Sequence, residues 1–181
     1  MMSTNYGGMA VVAVSGLRLL CIGFDTTSIE LLCAEVVPGP FSATVDLIYR
    51  HGSEAVMTTF FVNLADTLDR VAAYNDPVYI VGDINVRIDR DDDINTKQLL
   101  ELLDVYGFTV QVSDPTHARD GPLDVVSTRR DDAPLPVSVY DAGLSDHHLL
   151  LWSVPIPRPP LVQHLLCLSF VDRGISLAQH R

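Results

Sequence analysis

Two polar side chains come directly after a short apolar run. Val78–Val81 is typical of a buried central strand, and Gly82-Asp83-Ile84-Asn85 follows it. Asp83 and Asn85 are two residues apart, so they point to the same side wherever the chain stays extended. A carboxylate and an amide at a strand end can bind a ligand in the crevice beyond the sheet. The same four residues also suit an ordinary Asx-turn, and both interpretations stay open at this motif alone.

A carboxylate and an imidazole stand side by side further along the chain. Ser145-Asp146-His147 separates an apolar stretch from a strand predicted over His148–Val154. Aspartate can bind a metal ion, and histidine can act as a general acid or base. As an isolated tripeptide, the sequence is equally typical of a surface loop.

A third aspartate lies within an apolar strand. Asp124 falls in the run Leu123–Thr128, where an unpaired buried charge would be costly. It must therefore have a partner or stand at the strand end. An imidazole suits the role of partner.

A tyrosine and an arginine stand together at the end of an earlier strand. Tyr49 ends the strand predicted over Ser42–Tyr49, and Arg50 follows it. A phenol and a guanidinium can both donate hydrogen bonds to a phosphate, although a strand-end aromatic is also an ordinary core residue. All these motifs lie at strand ends, which predicts that six side chains share one cleft: Tyr49, Asp83, Asn85, Asp124, Asp146 and His147.

Strands and helices alternate around these motifs. Close turns in the N-terminal third are typical of antiparallel hairpins, with strands predicted at Met9–Val14, Leu17–Phe24, Ile29–Val37 and Ser42–Tyr49. Helical spacing of apolar residues predicts a helix from Ser53, as its N-cap, to Tyr74. A second helix is predicted over Asn95–Tyr106, capped by Asn95 or Thr96 and followed by Gly107 at C′. The remaining predicted strands are Phe108–Val112, Leu123–Thr128, Val137–Tyr140 and His148–Val154.

Composition limits the class of protein. A chain of 181 residues with 48% hydrophobic content is long enough for one domain with a real core. Cys21, Cys33 and Cys167 are scattered in apolar runs, which indicates free thiols in a reducing compartment. There is no signal peptide pattern at the start and no apolar stretch of about 18 residues. We therefore expect an intracellular protein of the nucleus or cytoplasm that does not bind membranes.

The net charge of −11 argues against broad, tight coating of DNA, because such affinity comes from lysine and arginine. Much of the acidity is local, and a bound divalent cation would reverse the sign where a phosphate must lie. A small metal-centred phosphodiester site is therefore compatible with the charge.

The order of the motifs carries a family resemblance. The sequence resembles the endonuclease/exonuclease/phosphatase superfamily in four motifs and in their order. These are Tyr49-Arg50, then Gly82-Asp83-Ile84-Asn85, then Pro115-Thr116-His117 with Leu123-Asp124, then Ser145-Asp146-His147. The nearest likeness is to the apurinic-type endonuclease domain of non-LTR (LINE-like) retrotransposons, and it covers roughly Gly7 to Pro157. It implies an α/β (α+β) four-layer sandwich of two packed mixed β-sheets flanked by helices. We expect this domain over residues 1–157 and a tail of uncertain order over residues 158–181.

The resemblance also implies the chemistry. Asp83 would position or deprotonate the attacking water, and Asn85 would orient it. Asp124 would hold the His147 imidazole against the phosphate. From this family pair and the buried position of Asp124, we predict that Asp124 accepts a hydrogen bond from His147 rather than from His117 or His148. Asp146 would contribute to a Mg²⁺ site, with Mn²⁺ as the alternative ion, and DNA would be the partner that is nicked. Four further residues are assigned to the substrate and its loops: Tyr49, Arg50, Thr116 and Ser145.

Two departures from the family pattern matter. His51 stands where proline is more usual. More important, the family domain opens with a strand-helix-strand unit carrying an asparagine and the principal metal-binding glutamate, whereas the matching part of this sequence begins at Gly7-Gly8, after them. The expectation is an N-terminally truncated domain of retroelement origin that is weakly active or inactive, because Mg²⁺ would lose its main carboxylate.

Two other functions compete with the endonuclease interpretation. One is a phosphatase of the same superfamily that acts on a small phosphorylated ligand, which would suit the acidic balance. The other is a non-catalytic retained fragment that binds a protein partner, or a second copy of itself, through an exposed sheet edge.

Overall fold

The computed structural model describes residues 9–14, 17–23, 29–37, 42–52, 55–119 and 121–154. Its strands and helices, in chain order, are β1 (Arg18–Gly23), β2 (Glu30–Val37), β3 (Ala43–Tyr49), α1 (Thr58–Ala72), β4 (Val78–Asp83), α2 (Ile94–Val105), β5 (Phe108–Val110), β6 (Asp124–Arg129), β7 (Ser138–Tyr140) and β8 (Leu149–Leu151).

Six of the strands form one mixed sheet in the order β1-β2-β3-β4-β6-β5. The hairpin strands β1, β2 and β3 pair antiparallel, as their close turns predict. β3 and β4 are parallel, with Leu47 opposite Val81, because α1 carries the chain back across the sheet between them. β6 then pairs antiparallel with both β4 and β5. β3 and β4 therefore lie at the centre and are buried along their whole length.

The two helices cover one face of this sheet. The apolar side of α1 buries Phe60, Leu64 and Leu68 against Ile48 and Ile80 of the central strands. Full burial of each such side chain contributes about 1.5–3 kcal/mol. This layer fixes which residues of β3 and β4 face the helices. The alternate residues must face the other side.

The opposite face carries a second apolar cluster and a small second sheet. Val45, Leu47, Val81 and Val126 form the large sheet's part of the cluster, and Trp152 packs on them. β7 and β8 pair antiparallel into a two-stranded sheet. The described residues thus form three of the four expected layers: helices, large sheet and small sheet. The α+β sandwich class is confirmed.

The helix starts differ from the sequence-based expectation. α1 begins at Thr58, and Met57 is its N-cap residue without a side-chain hydrogen bond. Ser53, the expected N-cap, lies outside the described residues. α2 is capped by Asp93, whose carboxylate accepts hydrogen bonds from the backbone N–H groups of Asn95 and Thr96. The prediction that Asn95 or Thr96 caps α2 was therefore wrong, because the preceding aspartate already satisfies the N–H groups of both.

Other predictions meet a mixed outcome. Gly107 follows α2 with a φ of 74°, as a C′ glycine should. Met9–Val14 is not a strand, although Met9 and Val11 pack on the second cluster. Cys33 is buried and forms no disulfide bond. The expected tail at residues 158–181 lies outside the described part of the chain, and neither described helix has the length and apolarity to cross a bilayer.

Asp46, in the middle of β3, is a buried carboxylate that no motif explains. It is 0% exposed. Burial raises its pKa from the ordinary 3.8 to about 6, opposed by the neighbouring Cys33 thiol and the positive charge of Arg70. The folded state therefore favours the protonated acid. The free energy that protonated Asp46 contributes to the stability of the fold is fully present below pH 3.8 and is lost as the pH rises through about 6.

We predict that Asp46→Asn stabilises the protein at neutral and alkaline pH relative to the unaltered chain. The gain should approach about 3 kcal/mol, because a pKa raised by about two pH units carries that free energy. Urea unfolding of both proteins at several pH values from acid to weakly alkaline measures it. A difference in unfolding free energy that does not change with pH would contradict the prediction.

Candidate active site

Three of the predicted site residues lie in a row across the centre of the large sheet. Asp83 on β4 is paired with Asp124 on β6. Leu47 of β3 and Val81 of β4 lie opposite each other in parallel strands. Tyr49 and Asp83 are each two residues further along, so they end these two strands side by side. Because Leu47 and Val81 face the second cluster, the row faces the same side. Burial raises the pKa of Tyr49, and the negative charge of Asp83 adds to the rise.

Gly82 makes this row possible. Its φ is +136°, and a Cβ at this position would lie 1.9 Å from the carbonyl oxygen of Ile48 on β3. A side chain is therefore excluded twice, by the backbone conformation and by the close approach of β3. The motif's glycine is a packing requirement between two central strands. Neither interpretation of Gly82-Asp83-Ile84-Asn85 from the sequence, a ligand site or a turn, included this packing requirement.

Asp83 and Asn85 hold each other at the strand end. The backbone N–H of Asn85 donates to Asp83 Oδ1 at 3.0 Å, and the side-chain Nδ2 donates to Asp83 Oδ2 at 2.8 Å. Asn85 has a φ of 49°, a left-handed conformation that asparagine tolerates. Its Nδ2 also donates to the carbonyl of Arg50 at 2.9 Å. The Asx-type turn therefore contains the carboxylate of Asp83 and the amide of Asn85, and it positions both groups at the end of the strand.

The Arg50 guanidinium is turned inward, and the residue is only 5% exposed. It donates to three backbone carbonyls, those of His51, Ile84 and Asn85, at 3.1, 2.8 and 2.6 Å. Its carbon also lies 5.9 Å from the centre of the Phe60 ring. Arg50 therefore fixes the two strand-end loops that carry the site. Its assignment as a phosphate-binding residue stays a prediction.

Asp124 and His147 form the pair that the sequence predicted. His147 Nδ1 lies 3.0 Å from Asp124 Oδ2, within hydrogen-bond range. The other ring nitrogen, Nε2, is 3.7 Å from Asp83 Oδ2. His148 instead has its Nδ1 on the carbonyl of Pro115 at 3.0 Å. The predicted choice of His147 over His148 and His117 is confirmed.

The charges of this group shift two pKa values. The hydrogen bond to Asp124 raises the pKa of His147; burial opposes the rise, and the negative charges of Asp124, Asp83 and Asp146 support it. Burial, followed by the negative charge of Asp124, raises the pKa of Asp83 from 3.8 to about 7, while His147 and Asn85 oppose the rise. A carboxyl group that titrates near neutral pH is suited to accept a proton from water.

Thr116 joins the loop before β6 to the site. Its Oγ1 accepts hydrogen bonds from the backbone N–H groups of Leu123 and Asp124, both at 2.9 Å. Its carbonyl accepts from the N–H of His148 at 2.7 Å. The side chain is 0% exposed. Thr116 thus holds the two loops together, and its assignment as a substrate-binding residue stays a prediction.

The Ser145-Asp146-His147 loop closes on itself and on the neighbouring loop. The N–H of His147 donates to Ser145 Oγ at 3.1 Å, and this hydroxyl donates to the His147 carbonyl at 3.1 Å. The N–H of Ala118 donates to the Asp146 carbonyl at 2.8 Å. Ser145 therefore orders the turn that presents His147. A contact between its hydroxyl and a substrate stays a prediction.

Asp146 points outward, beside a histidine that the sequence did not single out for the site. Its side chain is 63% exposed, and its Oδ2 lies 3.4 Å from Nε2 of His117. A hydrogen bond from its own backbone N–H lowers the pKa of Asp146, and the two nearby imidazoles, His117 and His147, lower it further. The motif Pro115-Thr116-His117 contained the only sequence signal for this placement.

Two groups of described residues could hold a metal ion, and the ligand atoms within each group lie within 4.8 Å of one another. One group is Asp83, Asp124 and His147; the other is His117, Asp146 and His147. Asp124 is occupied by His147, so the oxygen that best suits a hard cation belongs to Asp83 in the first group and to Asp146 in the second, and neither group contains both. Mg²⁺ and Mn²⁺ accept one or two carboxylates with water as the remaining ligands. The residues present therefore fit such an ion.

The architecture is that of the endonuclease/exonuclease/phosphatase fold. One similar solved structure is the endonuclease domain of TRAS1, a telomere-specific non-LTR retrotransposon, with a TM-score of 0.57 and 16% identity over 77% of this chain and 70% of that one. Another is an endonuclease/exonuclease/phosphatase family protein from Leptotrichia buccalis, with a TM-score of 0.53 and 12% identity over 81% of this chain and 62% of that one. No family model matches the sequence, and no curated protein matches it. Likeness at these identities shows the fold alone.

Proposed function

We propose that this protein is a metal-dependent phosphodiester hydrolase that nicks DNA. The observation that supports this most is the Asp124–His147 pair, which faces the Asp83–Asn85 pair across a gap of 3.7 Å between His147 Nε2 and Asp83 Oδ2. An imidazole and a carboxyl group placed side by side in this way can serve a phosphate and its attacking water.

Each residue has a role in this proposal. Asp83, whose pKa of about 7 allows it to accept a proton near neutral pH, positions and deprotonates the attacking water. Asn85 orients that water through its amide. Asp124 holds His147 so that Nε2 of the imidazole donates to a phosphate oxygen and stabilises the charge developing there. Tyr49, at the end of the same row, steadies the phosphate.

A divalent cation, Mg²⁺ or Mn²⁺, would be held by the carboxylate of Asp146 together with water, and when bound it would polarise a phosphate oxygen as a Lewis acid. Neither metal-type group of described residues includes a glutamate, and Asp146 is largely exposed. A site with so few protein ligands binds its ion weakly. We therefore propose that hydrolysis is slow and rises with metal concentration.

DNA is the proposed substrate because the TRAS1 domain, a solved endonuclease, has the same fold. The net charge of −11 favours contact with one phosphodiester and its neighbours over a long electrostatic footprint. The same charge also favours the second candidate, a phosphatase acting on a small phosphorylated ligand. The two differ in whether the scissile phosphate carries one ester bond or two.

The experiment that separates them offers both substrates to the same preparation. We expect conversion of supercoiled plasmid to the nicked form with Mg²⁺ or Mn²⁺, no conversion with a chelator, and no release of inorganic phosphate from a phosphomonoester. Asp83→Asn, which keeps the size of the side chain, serves as the matched inactive control. Release of inorganic phosphate without nicking would overturn the DNA assignment and favour the phosphatase.

A further inference from the structure

His117 is held beside the site in one ring orientation. Its side chain is 10% exposed, and its backbone pairs with Gly121 and with His147 in two isolated bridges. The backbone N–H of Arg119 donates to the Nδ1 of its ring at 3.1 Å. The ring also meets that of His147 edge to face, with 4.9 Å between the centroids. Backbone and neighbouring ring together fix where the imidazole points.

The hydrogen bond from Arg119 also fixes the position of the ring proton. A backbone N–H can only donate, so His117 Nδ1 must be the acceptor. In a neutral imidazole the proton then resides on Nε2. A histidine that binds a metal through Nε2 needs the opposite arrangement, in which Nδ1–H donates to an acceptor. His117 is thus arranged as an Nε2–H donor and not as a metal ligand.

The donor lies beside Asp146 and His147, the two residues to which the proposed function assigns the metal ion and the phosphate. A ring nitrogen of His117, a ring nitrogen of His147 and a carboxylate oxygen of Asp146 all lie within 4.8 Å of one another. The 3.4 Å between His117 Nε2 and Asp146 Oδ2 is longer than a typical N–H···O bond, so an oxygen placed between the two imidazoles can share this donor. Two imidazoles on adjacent loops suit the tetrahedral oxygens of a phosphate.

We propose that His117 is a second phosphate-binding imidazole of this site, donating from Nε2 to a non-bridging oxygen of the phosphate that His147 also contacts. This inference rests on the proposed function, since it assigns a further residue to the same phosphate. The same three residues could alternatively hold a metal ion through His117, and the experiment distinguishes the two roles.

The test measures the binding of inorganic phosphate and of Mn²⁺ separately. Phosphate affinity is followed by ³¹P NMR titration in excess Mg²⁺, and Mn²⁺ affinity by electron paramagnetic resonance. His117→Phe keeps a flat ring without a donor. His117→Gln keeps an amide N–H close to the position of Nε2. His148→Gln is the matched control, because the Nδ1 of that ring is on the carbonyl of Pro115. Circular dichroism and thermal unfolding confirm that each variant folds.

We expect His117→Phe to weaken phosphate binding about tenfold or more, which is the effect of losing a hydrogen bond to a charged group. His117→Gln should stay within about threefold of the unaltered chain, and Mn²⁺ affinity should not change in either variant. If His117→Phe fails to fold, His117→Asn takes its place, because its shorter amide can still accept from the N–H of Arg119 but places no donor at the position of Nε2. A folded His117→Gln that binds phosphate as weakly as His147→Ala does would overturn the proposal.

The other outcomes also have defined meanings. Unchanged phosphate binding in His117→Phe, together with a loss in His147→Ala, overturns the role of His117 and leaves the proposed function standing. A loss of Mn²⁺ affinity without a loss of phosphate affinity makes His117 a metal ligand and also overturns it. If the unaltered chain binds no phosphate, the proposed function and this inference fail together.

Discussion

His147→Ala is expected to lower the rate of phosphodiester hydrolysis by a factor of about 10²–10³, the typical effect of removing one donor that stabilises developing charge. The imidazole is fixed by the 3.0 Å contact to Asp124 and lies 3.7 Å from Asp83. Alanine removes the donor and leaves the Asp124 carboxylate buried without its partner. Initial rates of plasmid nicking under saturating metal measure the loss.

The pair should behave as one unit. Asp124→Asn should also slow hydrolysis, because it disturbs the orientation of the imidazole. The double variant Asp124→Asn/His147→Ala should be about as slow as His147→Ala alone, because the effects of substituting residues that act together do not add. His148→Ala serves as the control for loss of a neighbouring imidazole. Thermal unfolding must show that all variants are folded. A His147→Ala protein that keeps most of its activity would remove His147 from the proposed mechanism.

Gly82→Ala is expected to destabilise the fold by about 4 kcal/mol or more, at the upper end of single-substitution effects. The new Cβ would lie 1.9 Å from the Ile48 carbonyl oxygen, a backbone atom in the adjacent central strand, at a φ of +136°. Relief requires β3 and β4 to separate next to Asp83, so activity should fall together with stability. Urea unfolding followed by circular dichroism measures the change.

Gly107→Ala isolates the effect of conformation from that of the clash. Gly107 also has a positive φ, of 74°, but a Cβ there would meet nothing within 4 Å. Its replacement should cost only about 1–2 kcal/mol, the cost of a left-handed conformation for an ordinary residue. If Gly82→Ala costs no more than Gly107→Ala, the close approach of the two strands is not what requires Gly82.

The sequence was sufficient to predict the pairing of Asp124 with His147. Asp124 stands in an apolar strand, and the cost of its burial demanded a partner, so its pairing with His147 followed from physics together with the order of the motifs. The strand-end positions of Tyr49 and Asp83 were also visible in the pattern. In each case a polar residue interrupted or ended an apolar run.

Other features could not be predicted because they depend on tertiary neighbours. The inward turn of Arg50 requires two loops from strands that pair only in the folded sheet. Gly82 looked like a turn residue until β3 was placed beside it. Ser53 has the side chain of a good helix cap, yet α1 begins at Thr58 after an uncapped Met57. Packing of the helix on the sheet, and not capping, supplies most of its stability.

The most direct test of the hydrolase assignment is the rate at which purified protein releases p-nitrophenol from bis(p-nitrophenyl) phosphate. The unaltered chain and Asp83→Asn are prepared side by side and assayed with Mn²⁺ and with a chelator. We predict slow, metal-dependent turnover in the unaltered chain and none above background in Asp83→Asn. Equal turnover in both proteins, or turnover that persists with the chelator, would contradict a metal-dependent site built on Asp83 and His147.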